Sequence, residues 1–310
     1  MPLLKRVRVF AAAIETTPGT AESLAAGDGV FNAYETSIQA EIEVEEREAQ
    51  GAFNRLSGVA GPRKGKVTFK TDVGVGLTTQ PTWASILLPA CGWVDSSDTY
   101  TPRSEAIGSN VKTVTIGVYE NGMLKVLAGA MGTFKLVCPA GKMAMMEWEF
   151  SGVWQAPTTT AIIAPTYPTA LPIRFASAST TFDSVALQVE NVTIDAGNEV
   201  IYREDPTTAG GYISALVTDR KPTITCSPES VLAATQDRFA QWLASTEAAF
   251  AFTMNGASSA SVAVSAPKAQ ITNLQEADRN KLQVDDIEFS CNKNGVTNDQ
   301  ELSITVTAGA

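Results

Sequence analysis

The chain has 310 residues, 44% of them hydrophobic and 18% charged, which predicts about two domains with real apolar cores. Its 33 Asp and Glu against 23 Lys and Arg give a net charge of −10, the wrong sign for gripping nucleic acid. No run approaches the ~18 apolar residues of a membrane helix, and the lack of any histidine removes Ser–His–Asp and Cys–His catalysis within the chain.

Met1–Phe10 has its charges after the first leucines and no long apolar stretch, so no secretory signal is read and the chain is expected to be made and kept in a cytoplasm. Residues 1–30 read as an N-terminal arm, and 31–155 as a first β-domain. In Ser37–Glu48, Ile38, Ala40, Ile42 and Val44 point one way while Glu41, Glu43 and Glu45 point the other, the period of a half-buried strand. A glycine-bearing loop is predicted over Ala49–Lys66, then a short strand Val67–Lys70. Gly74-Val75-Gly76 is too short for a dinucleotide site. Pro81–Leu88 is the first helix, with Pro81 at its start and Gly92 beyond its end. Thr133–Val137 turns through Pro139–Lys142 into Met143–Ser151, where Ala144, Met146, Trp148 and Phe150 oppose Glu147 and Glu149.

Residues 156–180 carry Pro157, Pro165, Pro168 and Pro172 and read as an extended linker. The second β-domain, 181–310, repeats the order. Strand Asn191–Glu204 places Arg203-Glu204 opposite Arg47-Glu48, loop Asp205–Lys221 follows, and Thr223–Cys226 answers Val67–Lys70. A second helix is predicted over Thr235–Ala244, with Phe239, Trp242 and Leu243 on one face. Ala269–Asn273 and Lys281–Ser290 form the closing hairpin, and Asp286–Ser290 aligns with Glu147–Ser151.

Four matched elements in one order indicate an internal duplication. The fold class is mainly β: two sandwich or barrel domains, each with one short flanking α-helix. Cys91, Cys138, Cys226 and Cys291 lie far apart with no C-x-x-C pair and read as reduced packing residues; no metal site or cofactor is expected. The run Glu41–Glu48 offers carboxylates for a glycosidase or calcium site, but alternation with Ile and Val is what a half-exposed strand needs anyway. Trp83, Trp148 and Trp242 read as core.

Several segments together resemble siphophage tail tube proteins: the opening strand with Glu15-Thr16-Thr17-Pro18-Gly19-Thr20-Ala21, the acidic strand, the long loop with Arg63 and Lys64, strand Val67–Asp72, Leu87–Trp93, and Phe150–Pro157. The resemblance implies a structural virion protein, not an enzyme, whose rings stack around a lumen for DNA passage. A doubled chain would need three subunits for a pseudo-hexameric ring, with a hexamer as the alternative. Implied partners are the chain itself, a tape measure protein, and tail terminator and tip proteins, with transient non-specific passage of DNA and no membrane. The implied place is the virion tail, assembled in the host cytoplasm. Candidate lumen-lining residues are Glu41, Glu43, Glu45, Glu147, Glu149, Asp195, Glu199 and Glu288. Candidate ring-stacking residues are Phe53, Arg55, Arg63, Lys64, Tyr212 and Arg220. A virion decoration or receptor-binding β-sandwich protein is the rival reading, and a carbohydrate-active enzyme using a carboxylate pair is a third.

Overall fold

The computed structural model describes residues 4, 6–51, 53–76, 80–105, 107, 110–296 and 298–309. Parts of the predicted arm (residues 1–3 and 5) and Ala52 of the first loop lie outside the described residues. The first half supplies β1 (Arg8–Ile14), β2 (Ala33–Glu48), β3 (Arg55–Asp72), β4 (Trp93–Ser96), β5 (Thr99–Pro102), β6 (Val114–Glu120), β7 (Met123–Pro139) and β8 (Met145–Trp154). Then come β9 (Thr158–Thr159), β10 (Thr181–Phe182), β11 (Val185–Ala186), β12 (Val189–Asp195), β13 (Asn198–Glu204) and β14 (Tyr212–Arg220). The chain closes with β15 (Thr223–Pro228), β16 (Glu247–Asn255), β17 (Ser261–Arg279), β18 (Leu282–Cys291) and β19 (Ser303–Thr307). The protein is mainly β, as its composition predicts.

One antiparallel layer runs β2-β3-β8-β7-β12-β15-β18-β17. The order β2-β3-β8-β7 recurs as β12-β15-β18-β17, in matching register. Val67 pairs with Phe150 and Ile38, and Ile224 pairs with Phe289 and Ile194. The halves meet edge to edge where β7 pairs with β12, Lys135 opposite Asp195 and Leu136 opposite Ile194. A second layer holds β1-β6 on the first part of β7, and β10-β16 on the first part of β17. Strand β7 passes from one layer to the other at a bulge between Ala128 and Met131, where Gly129 has φ +57. A bulge adds one residue and sharpens the bend, and a Cβ on Gly129 would lie 2.8 Å from Ser214.

The space between the layers is filled by one continuous apolar cluster. Phe69, Trp148 and Phe150 stack in the first half, and Phe182, Phe250 and Phe289 gather in the second with ring centroids 4.7–5.5 Å apart. Each ring so buried contributes about 1.5–3 kcal/mol. All four cysteines are unpaired and buried; burial pushes Cys138, Cys226 and Cys291 up to about 12 and Cys91 well above the ordinary thiol range. They pack as small apolar groups.

Three expectations need revision. The two predicted loops are largely strands. β3 begins at Arg55 and pairs with β2, and β14 begins at Tyr212 and pairs with β13. The opening strand expected within 1–30 is present as β1, seven residues on β6 with Phe10 and Ala12 buried. The segment 156–180 is extended but not detached: Ile173 and Phe175 are buried, and Gly74 bridges Pro172.

The third concerns the helices. The first is a π-type stretch, Trp83–Leu87, running into α1 (Leu88–Ala90), and it is buried. In α2 (Arg238–Leu243) the expected inward face is partly reversed: Phe239 and Leu243 are exposed, while Trp242 packs on the core. Arg238 takes the inner position because Asp285 lies beneath it at 2.5 Å, with both side chains buried.

Candidate assembly surfaces

Alternation gives the eight-stranded layer a polar outer face. On it Lys66 meets Glu149 at 2.5 Å, Lys70 meets Glu147 at 3.1 Å and Glu35 at 2.9 Å, and Lys135 meets Asp195 at 2.8 Å. Hydrogen bonds to Glu35 and Glu147 raise the Lys70 pKa, and the bond to Asp195 raises that of Lys135. Glu288 lies on the same face, between Thr225 and Asn273. The structure therefore brings Glu147, Glu149, Asp195 and Glu288 onto one surface. It does not bring Glu45 or Glu199 there. Glu41 and Glu43 lie beside Lys64 at the start of a projecting hairpin, Glu43 at 3.3 Å, and Glu45 lies opposite Val59 further out.

That hairpin is the outer part of β2 and β3, here termed the first arm. Most of its described residues are exposed, with Ile42 and Val44 at 44% and 59% exposure. Gly58, Gly61 and Gly65 let its strands and neighbours approach: a Cβ on Gly58 would meet Val44 at 2.6 Å, and one on Gly65 would meet Leu127 at 2.4 Å. Phe53 stands fully exposed at the tip, and Arg55 pairs with Glu46 at 2.9 Å.

The second arm, β13–β14, is not free. It folds across β7 and β8 of the first half. Asn198 donates through its side-chain amide to the Cys91 and Gly132 carbonyls at 2.8 Å, and Tyr202 donates to the Gly65 carbonyl at 3.2 Å. Lys64 sits over the Tyr202 and Tyr212 rings at 5.7 and 5.5 Å, and the Arg63 amide donates to the Gly210 carbonyl at 3.0 Å. Val111, Met131 and Ala215 bury one another beneath it. Thus Arg63, Lys64 and Tyr212 meet at one place, Arg220 is held by Asp299 and Glu301 at the arm's base, and Phe53 and Arg55 stand apart.

Sequence reasoning assigned no role to Glu15, although it begins the segment on which the resemblance rests. Its carboxylate is 3% exposed and accepts four hydrogen bonds, from the amides of Gly19 and Gly129, both at 2.7 Å, and from the hydroxyls of Thr113 and Thr115 at 2.6 and 2.8 Å. Gly19 and Gly129 are the surfaces on which Ile213 and Ser214 of β14 rest. A Glu followed four residues later by Gly, with Pro between, was the only available sign of this turn.

Among the described residues, the first-half edge of β2 and the last part of β17 have no sheet partner on their outer sides. Sheet edges left open in this way, beside an uncovered apolar arm, define a subunit made to join other chains. A family model for phage tail tube proteins matches residues 6–309, nearly the whole chain, and the protein belongs to that family. No curated protein matches it. It is a structural component of a phage tail that assembles with itself into a tube.

Proposed function

We propose that the chain is the major tail tube subunit of a siphophage, an internal duplication (31–155 and 181–310) of which three copies close a pseudo-hexameric ring. The observation that carries this reading is the β7–β12 junction. It joins the halves edge to edge, and the same two kinds of edge stay open at β17 and β2. Repeating the junction between chains pairs Gln275 with Gln39, the positions corresponding to Lys135 and Asp195, and closes the layer into a barrel without edges. Native mass spectrometry of rings released from tubes tests the count: three times 32.7 kDa is expected. Six chains per ring would refute the trimer, and a monomer that never polymerises would favour a decoration protein.

The polar face of the layer then lines the lumen through which the genome passes, beside the tape measure protein during host-cell assembly. Terminator and tip proteins close the two ends. Glu35, Glu147, Glu149, Asp195 and Glu288 are among its carboxylates, and Lys66, Lys70 and Lys135 are held in ion pairs that keep them from passing phosphates. Changing Glu147, Glu149 and Glu288 together to Gln frees Lys66 toward DNA and leaves Lys70 with Glu35 alone. Ejection is expected to slow several-fold at low salt and to recover as salt screens the contacts. Unchanged ejection through well-formed tubes would remove the lumen assignment. The exposed tip, Phe53 and Arg55, is the part of the candidate stacking set free to meet the next ring. Residues 156–180 run over the ring's outside.

A further inference from the structure

We infer that the first arm clasps the second half of the adjacent subunit within the ring, in the way the second arm clasps the first half within the chain. This rests on the ring reading above and names the surface that reading leaves open. Register fixes the correspondence. Ile38 and Ile194 occupy equivalent positions, so Ala40, Ile42, Val44 and Glu46 match Ala196, Asn198, Val200 and Tyr202. The latter four face the first half: Ala196 is 1% exposed, and Val200 packs against the Met131 cluster. Ala40, Ile42 and Val44 carry apolar groups at the same positions, and all three are exposed. A sheet position that is buried in one half and bare in the other marks a surface whose cover is another chain.

Connectivity directs the arm to its target. β13 continues from β12, and β12 pairs with the edge of β7. The arm therefore lies over the half whose edge its root extends. If β2 extends the edge of β17 in an adjacent subunit, the first arm is carried over β17 and β18 of that subunit. The receiving positions are Lys221, Gln270 and Ser290, which match Lys64, Met131 and Ser151.

Charge agrees with this occupant. Glu46 stands where Tyr202 meets Lys64, so it arrives beside Lys221. Backbone bonds from Cys291 to Pro222 and from Asn292 to Lys268 bring Lys221, Lys268 and Lys293 to one end of the sheet, with Glu247 beside Lys268 at 3.9 Å. The first arm carries Glu41, Glu43, Glu45, Glu46 and Glu48 against Arg47, Arg55, Arg63 and Lys64, with Glu46 paired to Arg55 on the exposed tip side. Glu46, 71% exposed at its side chain, can exchange its Arg55 partner for Lys221, so the contact is complementary in charge as well as in register.

Two cysteine pairs test this, against a background in which all four native thiols are buried. Assembled tubes of Glu46→Cys/Lys221→Cys, treated with a short bis-maleimide and then denatured, are expected to yield covalently closed trimers. Gln39→Cys/Gln275→Cys should do the same through the root strands. Linkage at the root with none at the arm would overturn the clasp and leave the ring standing. Linkage at neither pair would overturn both. Ile42→Asp/Val44→Asp supplies a readout independent of cysteine chemistry: a folded monomer with at least tenfold less polymer at equal concentration is expected, and normal tubes would refute the clasp.

Discussion

Replacing Arg238 with alanine is expected to lower the unfolding free energy of the unassembled chain by about 3–5 kcal/mol. The guanidinium meets Asp285 at 2.5 Å with 3% and 8% of the two side chains exposed, and it also donates to the Glu229 carbonyl and the Gln236 side chain. Removing it leaves a carboxylate whose remaining partner is the Ser230 hydroxyl at 2.6 Å. Most of the loss is the cost of that stranded charge, so Arg238→Met combined with Asp285→Leu is expected to recover the greater part. Chemical denaturation of the two variants decides the matter. Equal losses in both would show that the pair contributes through its specific geometry rather than through mutual neutralisation.

Glu15→Ala is the second large effect, and it should reach the second arm. The backbone amides of Gly129, fully buried, and Gly19, partly buried, lose the Glu15 acceptor, at about 1–3 kcal/mol each with Gly19 at the lower end. The Thr113 and Thr115 hydroxyls can rotate toward other acceptors, so a total of about 2–6 kcal/mol is expected. Because Ile213 and Ser214 rest on those two glycines, amide exchange in Tyr212–Arg220 should rise more than in Thr223–Pro228. Glu15→Gln keeps one accepting oxygen and should lose less. Uniform exchange across both strands would show that the carboxylate does not hold the arm's resting surface.

Much of the sheet was legible because alternation is a direct image of a surface with one dry and one wet side. Trp148 and Phe150 inward, with Glu147 and Glu149 outward, follow from that period alone. What the period hides is an inserted residue. Val67 was set against Thr223 and Thr133 against Ala269, whereas pairing places Val67 with Ile224 and Thr133 with Asn273. The bulge between Ile271 and Asn273 accounts for part of that slip. Gly58, Gly61, Pro62 and Gly65 resembled a loop, yet several are glycines because a facing strand leaves no room for Cβ. In α2, only Trp242 of the apolar face packs on the core, since Asp285 on a distant strand claims the inward position for Arg238. Long-range partners of that kind leave no local trace. For the assembly surfaces, the outward carboxylates of β8 were readable. The difference between a bare arm and a covered one was not, because the two arms differ in what lies beside them and hardly in their own pattern.

The β7–β12 junction also changes what the peptide link between the halves is for. Five cross-strand positions hold the halves in one sheet. The connecting segment is itself fastened at both ends, through Ile162 and Ile163 against Val9 and Tyr119, and through Ile173 and Phe175. Between these anchors the side chains of Tyr167 and Leu171 are exposed. Scission there would leave two fragments still seated on each other, so cohesion does not depend on the chain being continuous. Continuity acts instead on supply: each translation event delivers one of each half, already neighbours, and no imbalance between the two can arise.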